Sequence, residues 1–175
     1  MRIASFSVLV VLATVVTAAN TVYFIRHGEK PADGGNGLNA QGVQRSQCLR
    51  TVFGASSPYN IGKIMAQTPK SNGKRTRPLM TVQPVATDLG LSVDISCDRD
   101  DPECVAKAVK AFDATGSTKN ILICWEHDNL SNLAEALGMK RPPTYPDESF
   151  NLIWTDPVPY TNIIFVTSEN CPGLD

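Results

Sequence analysis

The stretch Thr21-Val22-Tyr23-Phe24-Ile25-Arg26-His27-Gly28-Glu29 decides how this chain is read. Five β-forming residues run together and end abruptly in a charged, glycine-containing tetrapeptide. A short apolar run of this kind reads as a buried strand, and in open α/β sheets ligands gather where such strands end. The chain's other histidine, His127, closes Asn120-Ile121-Leu122-Ile123-Cys124-Trp125-Glu126-His127 in the same manner. Two imidazoles a hundred residues apart, each at the mouth of a strand, point to phosphate chemistry in one crevice, the more so with Arg26 beside the first.

Outward from these two runs, strands alternate with helices. Strand 21–26 leads through a Gly-rich loop (Asp33-Gly34-Gly35-Asn36-Gly37) to a helix over about 40–53. Strand 62–67 leads through the basic loop 68–76 to a helix over 77–89, in which Pro84 predicts a kink or break. Strand 91–95 precedes a helix over about 102–114. Asp100 or Asp101 can cap that helix, Pro102 suits its first turn, and Glu103 favours its positive dipole end. Strand 119–125 is followed by a helix over 129–138, stopped by Gly138. Two closing strands, about 150–155 and 162–167, surround the turn Asp156-Pro157-Val158-Pro159. This order predicts a single α/β domain: a three-layer sandwich whose central sheet is mostly parallel, with room for an antiparallel edge.

The first nineteen residues read as a signal peptide. Met1-Arg2 is a short positive region, Val8 to Val16 is almost wholly apolar, and Thr17-Ala18-Ala19 supplies small residues for cleavage after Ala18 or Ala19. The apolar run is too short for a comfortable bilayer span. Residues 20–175, about 156 of them, are enough for one domain with a substantial core. They carry 15 basic and 17 acidic side chains, a net charge near −2. Nothing in that balance attracts nucleic acid or an anionic membrane, so neither is expected as a partner, and a secreted protein is.

Five cysteines lie in this domain, an odd number, so at least one stays unpaired. Cys97 and Cys104 flank an Asp-rich loop and are the easiest local pair. Cys124 sits inside an apolar strand and reads as a small buried hydrophobe. Cys48 with Cys171 is then the second pair. None has metal-site spacing, and no metal or cofactor is expected.

A phosphate monoester needs cations to clamp its oxygens and a nucleophile in line with the leaving group. Arginine's planar fork binds two oxygens and keeps its proton; histidine is in part uncharged near neutral pH. The residues here resemble a family built on that chemistry. Arg26-His27-Gly28-Glu29 after the first strand is similar to the signature of the histidine phosphatase superfamily, with its phosphoglycerate-mutase-like fold. Leu38-Asn39-Ala40-Gln41-Gly42-Val43-Gln44-Arg45 resembles the opening of that family's first helix. Arg77-Pro78-Leu79-Met80-Thr81 resembles its second arginine with a threonine four residues on. The strand ending at His127, followed by a Leu-rich helix, resembles its second-histidine segment.

The resemblance implies that His27 attacks phosphorus to form a transient phosphohistidine on a small phosphorylated substrate. It implies too that Arg26, Arg77 and His127 bind the phosphoryl oxygens. Arg77 is preferred to Arg75, which reads as part of a solvated basic loop with Lys70 and Lys74. The general acid stays open among three carboxylates. Asp128 follows the second histidine, although it also suits a helix cap. Glu126 belongs to a Trp-Glu-His triplet that resembles a secreted fungal branch of the superfamily, although strict alternation would point it away from His127. Glu29 lies close to the nucleophile and is suited to orienting it. Glu126 is narrowly preferred, with Glu29, Asn39 and Asp128 as substrate-binding candidates. Asn129-Leu130-Ser131 is the one glycosylation sequon; it is expected to be unmodified, with Asn129 capping the helix or lining the pocket. The alternatives are a secreted phosphate-binding or effector protein that keeps the fold without turnover, and a two-histidine ribonuclease, whose signatures do not match.

Overall fold

A computed structural model describes residues 20–175; the signal-peptide reading falls outside the described residues. The elements follow in the order β1 (Thr21–Arg26), α1 (Ala40–Val52), β2 (Ile61–Ala66), α2 (Arg77–Leu89) and β3 (Val93–Asp94). After these come α3 (Pro102–Asp113), β4 (Asn120–Trp125), α4 (His127–Leu137), β5 (Leu152–Pro157) and β6 (Phe165–Ser168). The six strands form one sheet in the order β3-β2-β4-β1-β5-β6. Pairings among β3, β2, β4 and β1 are parallel, and β5 and β6 add an antiparallel edge.

Side chains alternate across this sheet, so each central strand feeds two cores. Val22, Phe24, Ile121, Ile123 and Trp125 face the layer of α3 and α4, together with Val105, Val109, Leu130 and Leu133. Ile25, Ile64, Leu122 and Cys124 face the layer of α1 and α2, together with Leu49, Phe53, Val82 and Val85. Burial on both faces explains why β1 and β4 read as unbroken apolar runs. Cys124 is buried and unpaired, while Cys48 lies at disulfide distance from Cys171 and Cys97 from Cys104.

Three expectations need correction. The helix carrying Pro84 is unbroken from Arg77 to Leu89. The carbonyl that loses its partner belongs to Met80, on the exposed side, while Val82, Val85 and Ala86 are fully buried and hold the helix against the sheet. α4 starts at His127, two residues earlier than expected, because Glu126 already occupies the cap position. Finally, β5 runs through Asp156 and Pro157, which composition had placed in a turn; Pro157 ends the strand opposite Thr21.

Candidate active site

β1 and β4 are parallel neighbours, yet the chain leaves β1 toward the α1 layer and leaves β4 into α4 on the opposite face. The two exits diverge and open a crevice at the carboxyl ends of the strands, where α/β sheets take ligands. The register decides what meets there. Ile25 pairs with Cys124 and Arg26 with Trp125, and the His27 amide extends the ladder by donating to the Trp125 carbonyl at 3.2 Å. The next residues along, His27 and Glu126, therefore stand side by side.

His27 is 1% exposed. Its Nδ1 lies 2.7 Å from the Gly28 carbonyl, which can only accept. Nδ1 accordingly carries a proton, and in the neutral ring the lone pair sits on Nε2. That atom is 3.4 Å from Glu126 Oε2, while Glu126 Oε1 lies 3.2 Å from Nδ1 of His127. When His27 is an imidazolium, so that Nε2 donates to it, the Glu126 carboxyl is held down to about 2, chiefly by that hydrogen bond; burial opposes this, and the charges of both imidazoles assist it. The Glu126 backbone is fixed by donation from its N–H to Gln67 Oε1 at 3.1 Å.

Arg26 turns to the other side of the strand and is almost wholly buried. Its Nη1 donates to the carbonyls of Asp147 and Ser149 at 2.5 and 2.7 Å, and its guanidinium lies 3.7 Å from the centre of the Phe150 ring. Burial lowers its pKa, but a guanidinium still keeps its charge. Arg77 begins α2 and is aimed by the Gly-rich loop: its Nε donates to the Gly37 carbonyl (2.9 Å) and its Nη2 to that of Gly35 (2.8 Å). Thr81 Oγ1, one turn later, donates to the Arg77 carbonyl and accepts from the Gly28 amide, tying α2 to the loop after β1. Gly42 serves the same junction. A Cβ there would come within 2.6 Å of the Glu29 carbonyl oxygen, so α1 can approach this loop only with glycine at that position.

The structure brings His27, Glu126 and His127 together, and Arg77 lines the cavities beside them, whereas Arg26 is buried against Phe150 with its Nη1 on backbone carbonyls. Glu29 is held elsewhere: Arg45 grips it through Nε and Nη2, the shortest contact being 2.7 Å, so it does not orient His27. Asn39 caps α1, its Oδ1 accepting from the Gly42 amide at 2.8 Å. Glu29 and Asn39 nonetheless line a cavity of about 570 Å³ with Lys30, Gln41, Arg77 and Phe150. Asp128 is the second residue of α4 and not its cap; its largely exposed carboxylate lies 3.3 Å from His127 Nε2. Asn129 does not cap α4, whose cap position is Glu126; it donates to Asp100 at 3.4 Å and accepts from Asn132. Arg75 is not free in solvent either, because Asp98 and Asp100 hold it at 2.7 and 2.8 Å. It lines a second cavity, of about 360 Å³, with Arg77, Arg99, Lys70, Lys74 and Glu126.

Gln67, Asp147 and Phe150 escaped the reading of the sequence. Asp147 lies in an irregular stretch with no periodicity to place it, and its Oδ1 comes within 3.4 Å of His127 Nε2; Phe150, expected to open a closing strand, falls before β5, which begins at Leu152. Gln67 follows β2 directly, and its position at a strand end was the one available signal. Among the described residues, Glu126, His127 and Asp128 alone offer clustered metal-ligand atoms, within 4.8 Å of one another. None of the described helices is long and apolar enough to cross a membrane.

No protein-family model matches this chain, and neither does any curated protein. Solved structures do. The protein histidine phosphatase SixA, complexed with tungstate, superposes with a TM-score of 0.63 at 16% identity, over 85% of this chain and 97% of that one. A candidate alpha-ribazole-5'-P phosphatase from Escherichia coli K-12 gives 0.54 at 19% identity, over 87% and 99%. Phosphoglycerate mutase from Bacillus anthracis gives 0.50 at 12% identity, over 87% and 93%. Identities this low speak for the fold, which is phosphoglycerate-mutase-like; function must be argued from the site.

Proposed function

We propose that this protein is a secreted, metal-independent phosphomonoester hydrolase of the histidine phosphatase superfamily, acting on small phosphorylated substrates. The observation that carries the reading is His27: Nδ1 is committed to the Gly28 carbonyl, so in the neutral ring it is Nε2, beside Glu126, that holds the lone pair. In this reading Arg26, Arg77 and His127 bind the phosphoryl oxygens and offset the charge spread over them in the transition state. Nε2 of His27 forms the N–P bond as the P–O bond to the leaving group breaks. Protonated Glu126 supplies the leaving oxygen's proton. The Glu126 carboxylate then takes a proton from water as that water attacks phosphorus, releasing inorganic phosphate and restoring His27. Glu29, Asn39 and Asp128 border the approach and contact the rest of the substrate.

Superposition on phosphatases and a mutase supports the fold behind this chemistry, and the SixA structure with tungstate, a tetrahedral oxyanion, supports an anion site on such a fold. Secretion rests on residues 1–19 read as a signal peptide cleaved after Ala18 or Ala19, and it is compatible with two cysteine pairs at disulfide distance. The Trp125-Glu126-His127 triplet supports placement in the superfamily's secreted fungal branch.

A second reading has its own observation. Glu126 is held ionised down to about 2, which leaves it without a proton to donate and so favours a protein of this fold that does not turn over. Hydrolysis of p-nitrophenyl phosphate by residues 20–175, from pH 4 to 8 with chelator, separates the two. Turnover that survives chelator and disappears in His27→Ala supports the hydrolase. Tungstate or phosphate binding by a folded protein without turnover at any pH favours the binding protein.

A further inference from the structure

The second cavity holds more positive charge than one phosphoryl group uses. Lys70, Lys74, Arg75, Arg77 and Arg99 line it, against the single carboxylate of Glu126. The chain carries a formal net charge of −1, so this concentration of cations is local. Two of the five are already neutralised: Arg75 by Asp98 and Asp100, and Arg99 by Asp100 at 2.8 Å. Arg77 is assigned to the transferred phosphoryl group. That leaves Lys70 and Lys74, neither of which has a carboxylate within ion-pair distance among the described residues.

Their placement is built by the loop. The Lys70 amide donates to the Lys74 carbonyl and the Gly73 amide to the Lys70 carbonyl, both at 2.9 Å, which closes a tight turn with the two lysines at its ends. Gly73 takes a φ of +80°, a conformation that costs glycine little. Asn36, from the Gly-rich loop that also aims Arg77, donates to the Asn72 carbonyl at 3.1 Å and pins the turn beside the crevice. The cavity, about 360 Å³, falls within the range of small-molecule sites.

We infer that Lys70 and Lys74 form a second anion subsite, which receives a further phosphate on the leaving group, so that the preferred substrates carry two phosphates. Two ammonium groups without a carboxylate partner among the described residues match the charge of one phosphate dianion. The inference rests on the phosphatase reading for the placement of the first phosphate.

The test is binding, so that it stands even where turnover fails. Calorimetric titration of the His27→Ala protein compares fructose 1,6-bisphosphate with fructose 6-phosphate at low ionic strength. One additional charge-assisted contact is expected to tighten the bisphosphate by about tenfold. Adding Lys70→Ala and Lys74→Ala should bring the ratio of the two dissociation constants close to one, and Lys74→Glu alone should take it below one. Equal affinities in the parent, or a preference that survives loss of both lysines, overturns the subsite. Absence of p-nitrophenyl phosphate turnover in the wild-type protein would instead count against the hydrolase reading, and the titration ratio is independent of it.

Discussion

Replacing Glu126 by glutamine separates proton donation from every other role of that side chain. In the free protein its carboxyl sits near 2 and carries almost no proton at working pH. A bound phosphate changes this. An oxygen that takes the place of the carboxylate beside His27 puts a negative charge about 4 Å away, worth about 4 kcal/mol at an effective dielectric of about 20. Since 1.36 kcal/mol corresponds to one pKa unit, the carboxyl rises by about three, to about 5 in the complex. The substrate thus equips its own acid. Phosphoryl transfer should be fast below about pH 5 and fall as pH rises through that value, because the proton is lost. General acid catalysis contributes roughly 10²–10⁴-fold. Glu126→Gln should lose about that much with glycerol 2-phosphate, whose alkoxide needs a proton to leave. With p-nitrophenyl phosphate, whose phenolate leaves unaided, the loss should be far smaller. The assay is rapid-quench measurement of leaving-group release at saturating substrate, which reads the transfer step within the complex. Equal losses on the two substrates, or an alkaline limb that persists in the glutamine variant, would refute the assignment.

Three further expectations concern stability. Arg45 is fully buried and grips Glu29, the buried Glu169 and the Leu174 carbonyl. Arg45→Met should cost roughly 3–5 kcal/mol in chemical denaturation, and adding Glu169→Gln should recover part of it, since the loss comes from stranding a buried carboxylate. Asp156 is wholly buried, and burial pushes its carboxyl up to about 6. The native state therefore holds a proton that the unfolded chain gives up near 3.9, so this group's contribution to stability is greatest below about pH 4 and falls by up to about 3 kcal/mol as pH rises through 6. Asp156→Asn should remove that slope in denaturant titrations at pH 4 and 7. The pair Cys48–Cys171 spans 123 residues and Cys97–Cys104 only 7. Chain-entropy reasoning gives about 5 and about 2 kcal/mol, so the double Cys→Ala variant of the first pair should shift the thermal midpoint much further. Similar shifts for both pairs would count against that account.

Local physics made much of the fold legible in the chain. Two-sided burial writes itself as unbroken apolar runs at 21–25 and 121–125. Asp101 caps α3, accepting from the Cys104 amide, because a short side-chain oxygen can reach a free helix N–H wherever the helix sits. The positions of His27 and His127 at strand ends could be read for the same reason. What the chain could not show was which residues face each other across strands. The preference for Glu126 came with the objection that alternation points it away from His127. That geometry lies between strands: the parallel register places Glu126 beside His27, and the cap turn of α4 swings His127 back to the same carboxylate. Glu29 shows the converse. Two residues from His27 in sequence, it is claimed by Arg45, sixteen residues away, whose fork is held in turn by Glu169 from beyond β6. Spacing along the chain determined the elements and the kinds of chemistry at their ends. Which charges meet was decided by register and layer packing, because electrostatic partners are set by distance through space, and only the assembled sheet sets that distance.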